Sequence, residues 1–129
     1  MANPLYGQNK ADSELAKSSD VSSYLAEYTA TAAVDSKIVR MIELNHASVV
    51  IAITGVRGED WAGQIVIVKD TSASGTAAHT VTLAQGTWNA ANNNTITLNA
   101  PDEMIAVYFD SNGSGEVLVN YGSVALSTV

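Results

Sequence analysis

The sequence predicts an all-β fold: a single antiparallel sandwich or barrel of jelly-roll type, about eight short strands, with an N-terminal arm. Three observations carry this. From about Ile38 onward the chain is a succession of short runs rich in Val, Ile, Thr and Leu, each closed by Gly, Asn, Asp, Ser or Pro. The runs recur roughly every ten residues with no convincing helical pattern between them, which favours a sandwich or barrel over βαβ units. The 129 residues, 47% hydrophobic and 15% charged, supply one packed core and a tail.

Residues 1–35 read as the arm and 36–129 as the β-domain. Pro4 and Gly7 make the first ten residues a poor fit for any regular element. Between Ala11 and Ala33 the chain is rich in Ser, Ala, Thr and acids. Asp20 followed by Val21, Tyr24, Leu25 and Tyr28 has the spacing of a short capped helix, while the small residues of Thr29 to Ala33 suit an extended arm equally well. The anchors Leu5, Tyr6, Leu15, Tyr24, Leu25 and Tyr28 are too sparse for a core of their own and suit a groove. The arm is therefore expected to fasten the protein to its neighbours. The alternative is an arm that packs back on its own domain or swaps onto the next subunit.

Strands are expected near Lys37–Leu44, Ser48–Thr54, Gln64–Lys69, His79–Ala84, Thr95–Asn99, Met104–Asp110, Glu116–Tyr121 and Ser123–Ser127. Thr80-Val81-Thr82-Leu83 and Thr95-Ile96-Thr97-Leu98 each put threonine on one face and an aliphatic on the other, as the two arms of one hairpin do. Ile65 to Val68 is apolar on both faces and belongs at the centre of a sheet or under a partner subunit. Asn112 and Gly113 fit a turn between the strands ending at Asp110 and starting at Glu116.

Charge narrows the partners. Six Lys and Arg against thirteen Asp and Glu give a net charge of −7, and Lys69 is the last basic residue. Nucleic-acid backbones and anionic membranes both need cations, so neither is an expected partner. The longest apolar stretches, Val49–Ile53 and Met104–Phe109, fall far short of the roughly eighteen residues of a membrane helix. The opening residues have no basic and apolar signal pattern, so the chain is expected to fold where it is made. Without cysteine there is no disulfide or thiolate chemistry.

No motif carries catalysis. His46 and His79 lack a metal-ligand spacing, and Gly113-Ser114-Gly115 is not a nucleophile elbow. Asp110 to Glu116 has the oxygens of a calcium loop but fails the EF-hand pattern, with Ser114 at its fifth position and no Glu at its twelfth, so a turn is the preferred reading. The pairs Glu59-Asp60 and Asp102-Glu103 sit in turn-like segments, where neighbouring acids are usually solvated. There is no phosphate loop, and no cofactor or metal is expected. Trp61 and Trp88 fall in expected loops, where they either fold over the end of the sandwich or, exposed, bind a sugar or a protein.

The opening Asn3-Pro4-Leu5-Tyr6-Gly7-Gln8-Asn9-Lys10 resembles the N-terminus of small virion structural proteins of tailed bacteriophages, including marine and cyanobacterial phages. The series Gln64 to Asp70, His79 to Leu83, Asn94 to Leu98, Ala106 to Asp110 and Gly122 to Leu126 resembles their C-terminal β-rich modules. The resemblance implies a head decoration, or cement, protein that is made in the host cytoplasm, binds the major capsid protein on the outer face of the head and commonly forms a homotrimer. The shell contacts are expected in the arm, on the composition given above, at Pro4, Leu5, Tyr6, Tyr24 and Tyr28. A tail or baseplate β-module is the nearest alternative, and a carbohydrate-binding sandwich using Trp61 and Trp88 is a more distant one.

Overall fold

The structure, a computed structural model, describes residues 24–129. It is an all-β sandwich of two five-stranded sheets. The strands are β1 (Leu25–Tyr28), β2 (Ala32–Ala33), β3 (Met41–Leu44), β4 (Ala52–Arg57), β5 (Ile65–Asp70), β6 (His79–Gln85), β7 (Thr95–Leu98), β8 (Met104–Phe109), β9 (Gly115–Tyr121) and β10 (Ala125–Ser127), with one 3-10 turn at Gly58–Trp61. The first sheet runs β1-β3-β5-β8-β9 and the second β10-β7-β6-β4-β2. Among the described residues no helix is long and apolar enough to cross a membrane.

The connectivity differs from the expected antiparallel jelly roll. From β1 to β6 the chain changes sheet at every step, so each coil lays one strand on each sheet and successive strands within a sheet run parallel: β1 beside β3, β3 beside β5, β2 beside β4 and β4 beside β6. Segments 45–51, 58–64 and 71–78 are long enough to step across the roughly 10 Å between packed sheets, where a two-residue turn would have kept both strands in one sheet. Only after β6 does the direction reverse. β7 returns antiparallel to β6, β8 to β5, β9 to β8 and β10 to β7. The result is two open, mixed sheets rather than a closed barrel.

The expected hairpins form as read. Thr80 faces Thr97 and Thr82 faces Thr95, with the Thr82 and Thr95 hydroxyls 3.0 Å apart. Ile65 to Val68 lies in β5, the central strand of the first sheet, as its two-sided apolarity required. Three boundaries move. Residues 37–40 are a turn capped by Arg40, whose guanidinium donates to the carbonyls of Ser36, Lys37 and Val39, so β3 starts at Met41. Segment 48–50 is a loop, and β4 runs on to Arg57 through a bulge around Gly55 at φ +81°. Within the expected arm, Leu25–Tyr28 is not helical: it forms β1, and Ala32–Ala33 forms β2. The body of the sandwich thus begins at Leu25, ahead of Ser36, and these strands give each sheet one edge. Helix spacing at 24–28 was outweighed by the ladder β1 makes with β3.

Ile42, Leu44, Val66, Val68, Ile105 and Val107 from the first sheet interlock with Ile53, Val56, Val81, Leu83, Ile96 and Leu98 from the second. One end of this core is closed by Trp61, Trp88 and Phe109, all fully buried, with ring centroids 5.1 to 5.9 Å apart in tilted or edge-on contacts. Over them lies a backbone seal. A Cβ on Gly58 would come 2.4 Å from the Gly113 carbonyl oxygen, and one on Gly86 2.3 Å from the same atom, so these three glycines permit an approach that no side chain allows.

Candidate interaction surface

The residues expected to carry chemistry are engaged in holding loops. His79 is fully buried, with Ser72 and Asp70 nearby, the ingredients of a nucleophilic triad. Their geometry is different. The Ile51 N–H donates to His79 Nδ1 at 3.0 Å, which leaves the proton on Nε2, and Nε2 lies 3.0 Å from the His46 carbonyl oxygen that receives it. Ser72 Oγ donates to the same carbonyl at 3.2 Å and accepts the His46 N–H, while Asp70 accepts the Ser72 N–H. Neither imidazole nitrogen is left to take a serine proton. The cluster clamps segment 46–51 to the second sheet.

Other acids are likewise occupied. Asp110 Oδ1 accepts the N–H groups of Asn112 and Ser114 at 2.8 and 3.0 Å, and Gly113 takes φ +80°. The loop is the expected turn, closed by its own carboxylate, with Gly113 alone of the Asn112-Gly113 pair at positive φ. Among the described residues no three His, Cys, Asp or Glu gather as a metal site. Glu59 pairs with Arg57, whose guanidinium pKa that hydrogen bond and charge raise, whereas its neighbour Asp60 accepts the Ser36 hydroxyl at 2.6 Å. Asp102 is exposed near Lys69, while Glu103 is buried and accepts the Asn99 N–H. Each pair divides between two structural tasks.

Trp61 and Trp88 are core residues. Trp61 Nε1 donates to the Val39 carbonyl at 2.8 Å and Trp88 Nε1 to that of Val81 at 3.2 Å. With both rings fully buried, neither offers a face to a sugar, which removes the residues on which the carbohydrate reading rested.

What the surface offers instead is a contrast between two outer faces. On the second sheet the outward positions are Ala52, Thr80, Thr97 and Ala125 in one row, with Thr82, Thr95 and Ser127 beside it: small side chains, mostly hydroxylated. On the first sheet the register lines up Leu25, Met41, Ile67, Ala106 and Val119 across all five strands. Ile65 and Tyr108 extend this apolar row on one side, and Met104 and Tyr121 on the other. Charges enter only at its margins, with Glu27, Glu43 and Lys69 in the adjacent row and Glu116 beside Tyr108. A sheet face solvated in the ordinary way would alternate apolar-in with polar-out.

The edges also differ. β1, β2 and β10 are strands of four, two and three residues, whereas β9 has seven and, among the described residues, is paired on one side only. Leu118, Val119 and Tyr121 on it are 50, 46 and 62% exposed, and it contains no Lys, Arg or Pro.

Of the arm residues assigned to partner contacts, Pro4, Leu5 and Tyr6 lie outside the described residues. Tyr24 is exposed, and its carbonyl accepts the Arg40 N–H at 2.9 Å. Tyr28 points inward and packs against the sandwich's own core, and partial burial raises its hydroxyl pKa. The apolar row was legible in the sequence only as two-sided strands. Its continuity depends on parallel pairings that no local pattern encodes. No family model matches the chain, and neither does any curated protein or solved structure.

Proposed function

We propose that this chain is a non-enzymatic virion structural protein of a tailed bacteriophage: a decoration, or cement, protein that binds the major capsid protein on the outer surface of the head and stabilises the shell. It works without a cofactor, touches neither nucleic acid nor membrane, and associates with itself on the particle as a homotrimer. The observation that carries this reading is the β9 edge. A long strand at the end of its sheet among the described residues, with exposed Leu118, Val119 and Tyr121 and no gatekeeping Lys or Pro, is a template for another chain's strand. Monomeric proteins guard such an edge, whereas a component of an assembly uses it. The acidic balance agrees with a place outside the shell, away from packaged DNA.

Copy number in purified particles tests the proposal. A stoichiometry matching the shell subunits supports it, and a handful of copies would move the protein to the tail or baseplate, the runner-up that would use the same edge. Particles lacking the protein are expected to break at lower temperature and in low salt. If they survive as well as complete ones, the cement role fails.

A further inference from the structure

We infer that the depression between the β6–β7 loop and the β8–β9 turn is a binding site for the hydroxyl groups of a neutral carbohydrate, with Asn89 and Asp110 as its paired donor and acceptor. The site shares no residue with the buried tryptophans and does not depend on the virion reading.

The depression has a volume of about 610 Å³, within the range of pockets that hold small ligands. Asn89 lines it from the β6–β7 loop, Tyr108 from β8, and Asp110, Ser114, Glu116 and Val117 from the β8–β9 turn and the strand that follows. Its walls are fixed before a ligand arrives. The two segments meet at Gly115, whose N–H donates to the Thr87 carbonyl at 2.8 Å and where a Cβ would come 2.5 Å from the Trp88 carbonyl oxygen. Asp110 Oδ1 is occupied by the Asn112 and Ser114 N–H groups, and Asn89 Oδ1 accepts the Asn93 N–H at 3.1 Å. Each arrangement settles which atom is left over. For Asp110 it is Oδ2, an acceptor, and for Asn89 it is the amide Nδ2, a donor. Neither atom makes a hydrogen bond among the described residues.

The chemistry of this lining selects the ligand. Asp110 and Glu116 are carboxylates and, among the described residues, no Lys, Arg or His lines the depression, so a phosphate, a nucleotide or an acidic sugar would meet like charge. A guanidinium or ammonium would satisfy the two acids but has no acceptor to offer Asn89. A hydroxyl is donor and acceptor at once, so hydroxyls on neighbouring carbons give a hydrogen to Asp110 and take one from Asn89. The bond to Asp110 is then charge-assisted, the stronger kind. A sugar ring also has C–H faces, and the half-exposed Tyr108, with Val117, supplies an apolar wall for one of them. Because both polar groups are already held by backbone bonds, binding spends little on ordering them.

Titration of the full chain, 15N-labelled, with glucose, galactose, mannose, N-acetylglucosamine, lactose, maltose and chitobiose tests the site. Proton–nitrogen correlation spectra read the Asn89 side-chain amide and the backbone amides of Gly115 to Val117, and agmatine and N-acetylneuraminic acid serve as the cationic and anionic comparisons. The expected result is saturable shifts at these positions with at least one neutral sugar below about 10 mM, and weaker binding of both charged compounds. Asn89→Asp and Asp110→Asn each keep the Oδ1 that holds its own loop and exchange only the remaining atom, so the melt is retained while sugar binding weakens about ten-fold or more. No shifts at these amides with any of the sugars up to about 50 mM, or shifts confined to other residues, would overturn the inference. A sugar bound equally well by both variants, or agmatine bound more tightly than every sugar, would overturn it too. Where a variant's melt changes, the parent's titration decides by itself.

Discussion

His79 and His46 are joined by a hydrogen bond in which the buried imidazole Nε2 of one donates to the backbone carbonyl of the other, 3.0 Å away. The same ring accepts the Ile51 N–H, so a single side chain anchors both ends of segment 46–51, the crossing that carries the chain from β3 to β4. His79→Ala leaves the Ile51 N–H without its partner, takes from the His46 carbonyl one of its two donors and opens a cavity inside the sandwich, which together cost about 3 kcal/mol. Urea denaturation of His79→Ala should show that loss with the m-value unchanged. Ser72→Ala, which spares the ring, should lose about 1 kcal/mol.

The glycine seal at the opposite end gives a paired comparison. At Gly58 an added methyl meets the Gly113 carbonyl at 2.4 Å, so Gly58→Ala must push the 3-10 turn away from the β8–β9 turn. Gly63 has φ +75° but nothing within 4 Å, so Gly63→Ala carries only the backbone penalty of about 1 kcal/mol. Thermal melts should place Gly58→Ala clearly below Gly63→Ala, with a cost of at least 2 kcal/mol. Equal melting temperatures would mean that the backbone contact is not rigid.

How far this end was legible shows where sequence reading stops. Trp61 and Trp88 stood out as loop residues, and one of their two readings, a cap over the end of the sandwich, is what the structure contains. Gly58 and Gly113 gave no sign of meeting, because nothing local to either turn records a residue so distant in the chain. The same distinction runs through the strands. The β6–β7 hairpin was legible because threonine and aliphatic residues alternate in both arms. β1 and β2 were not, because Leu25–Tyr28 fits a helical spacing and Ala32–Ala33 fits any conformation, and only their partners β3 and β4 decide the matter. The Val49-Val50 pair looked like strand because it is apolar, yet both residues are exposed in the loop that His79 and Ser72 hold.

Trp61 and Trp88 should respond as core residues in solution. Acrylamide should barely quench their fluorescence in the native state, and near-ultraviolet circular dichroism should show strong bands from the packed rings. Trp61→Phe removes the hydrogen bond to Val39 and part of the ring volume, a loss of about 2–4 kcal/mol. Quenching as efficient as that of free tryptophan would contradict the burial.

Tyr28 sets an alkaline limit. Its partly buried hydroxyl has a pKa raised by desolvation, so the unfolded chain ionises at a lower pH than the folded one. The contribution is fully present below the ordinary tyrosine value of about 10 and falls away as pH rises through it toward the folded value. Melting temperature should therefore drop above about pH 10, and Tyr28→Phe should soften that drop while leaving the melt near neutral pH almost unchanged. An identical alkaline profile in the variant would remove Tyr28 from the explanation.

The β9 edge offers the sharpest separation of assembly from folding. Val119 is exposed on β9, which among the described residues has a neighbouring strand on one side only, and it lies in register with Ala106 of β8 with its Cβ pointing out, away from the core. A lysine there keeps the β8–β9 ladder and adds what edge strands in monomeric proteins carry: a charge that any docking strand would have to desolvate. Folding should be nearly indifferent, within about 0.5 kcal/mol, as for surface substitutions generally. Self-association should weaken at least ten-fold, because the charge sits in the middle of the strand to be paired. Light scattering coupled to gel filtration reads the mass, and circular dichroism reads the melt, of Val119→Lys beside the parent. A parent that is an oligomer and a variant that shifts toward 13.5 kDa with its melt retained is the expected pair of results. A variant that keeps the parent's oligomeric mass would show that the copies meet elsewhere, and a parent that stays at 13.5 kDa at high concentration and as isolated copies on the particle would show that they do not meet at all.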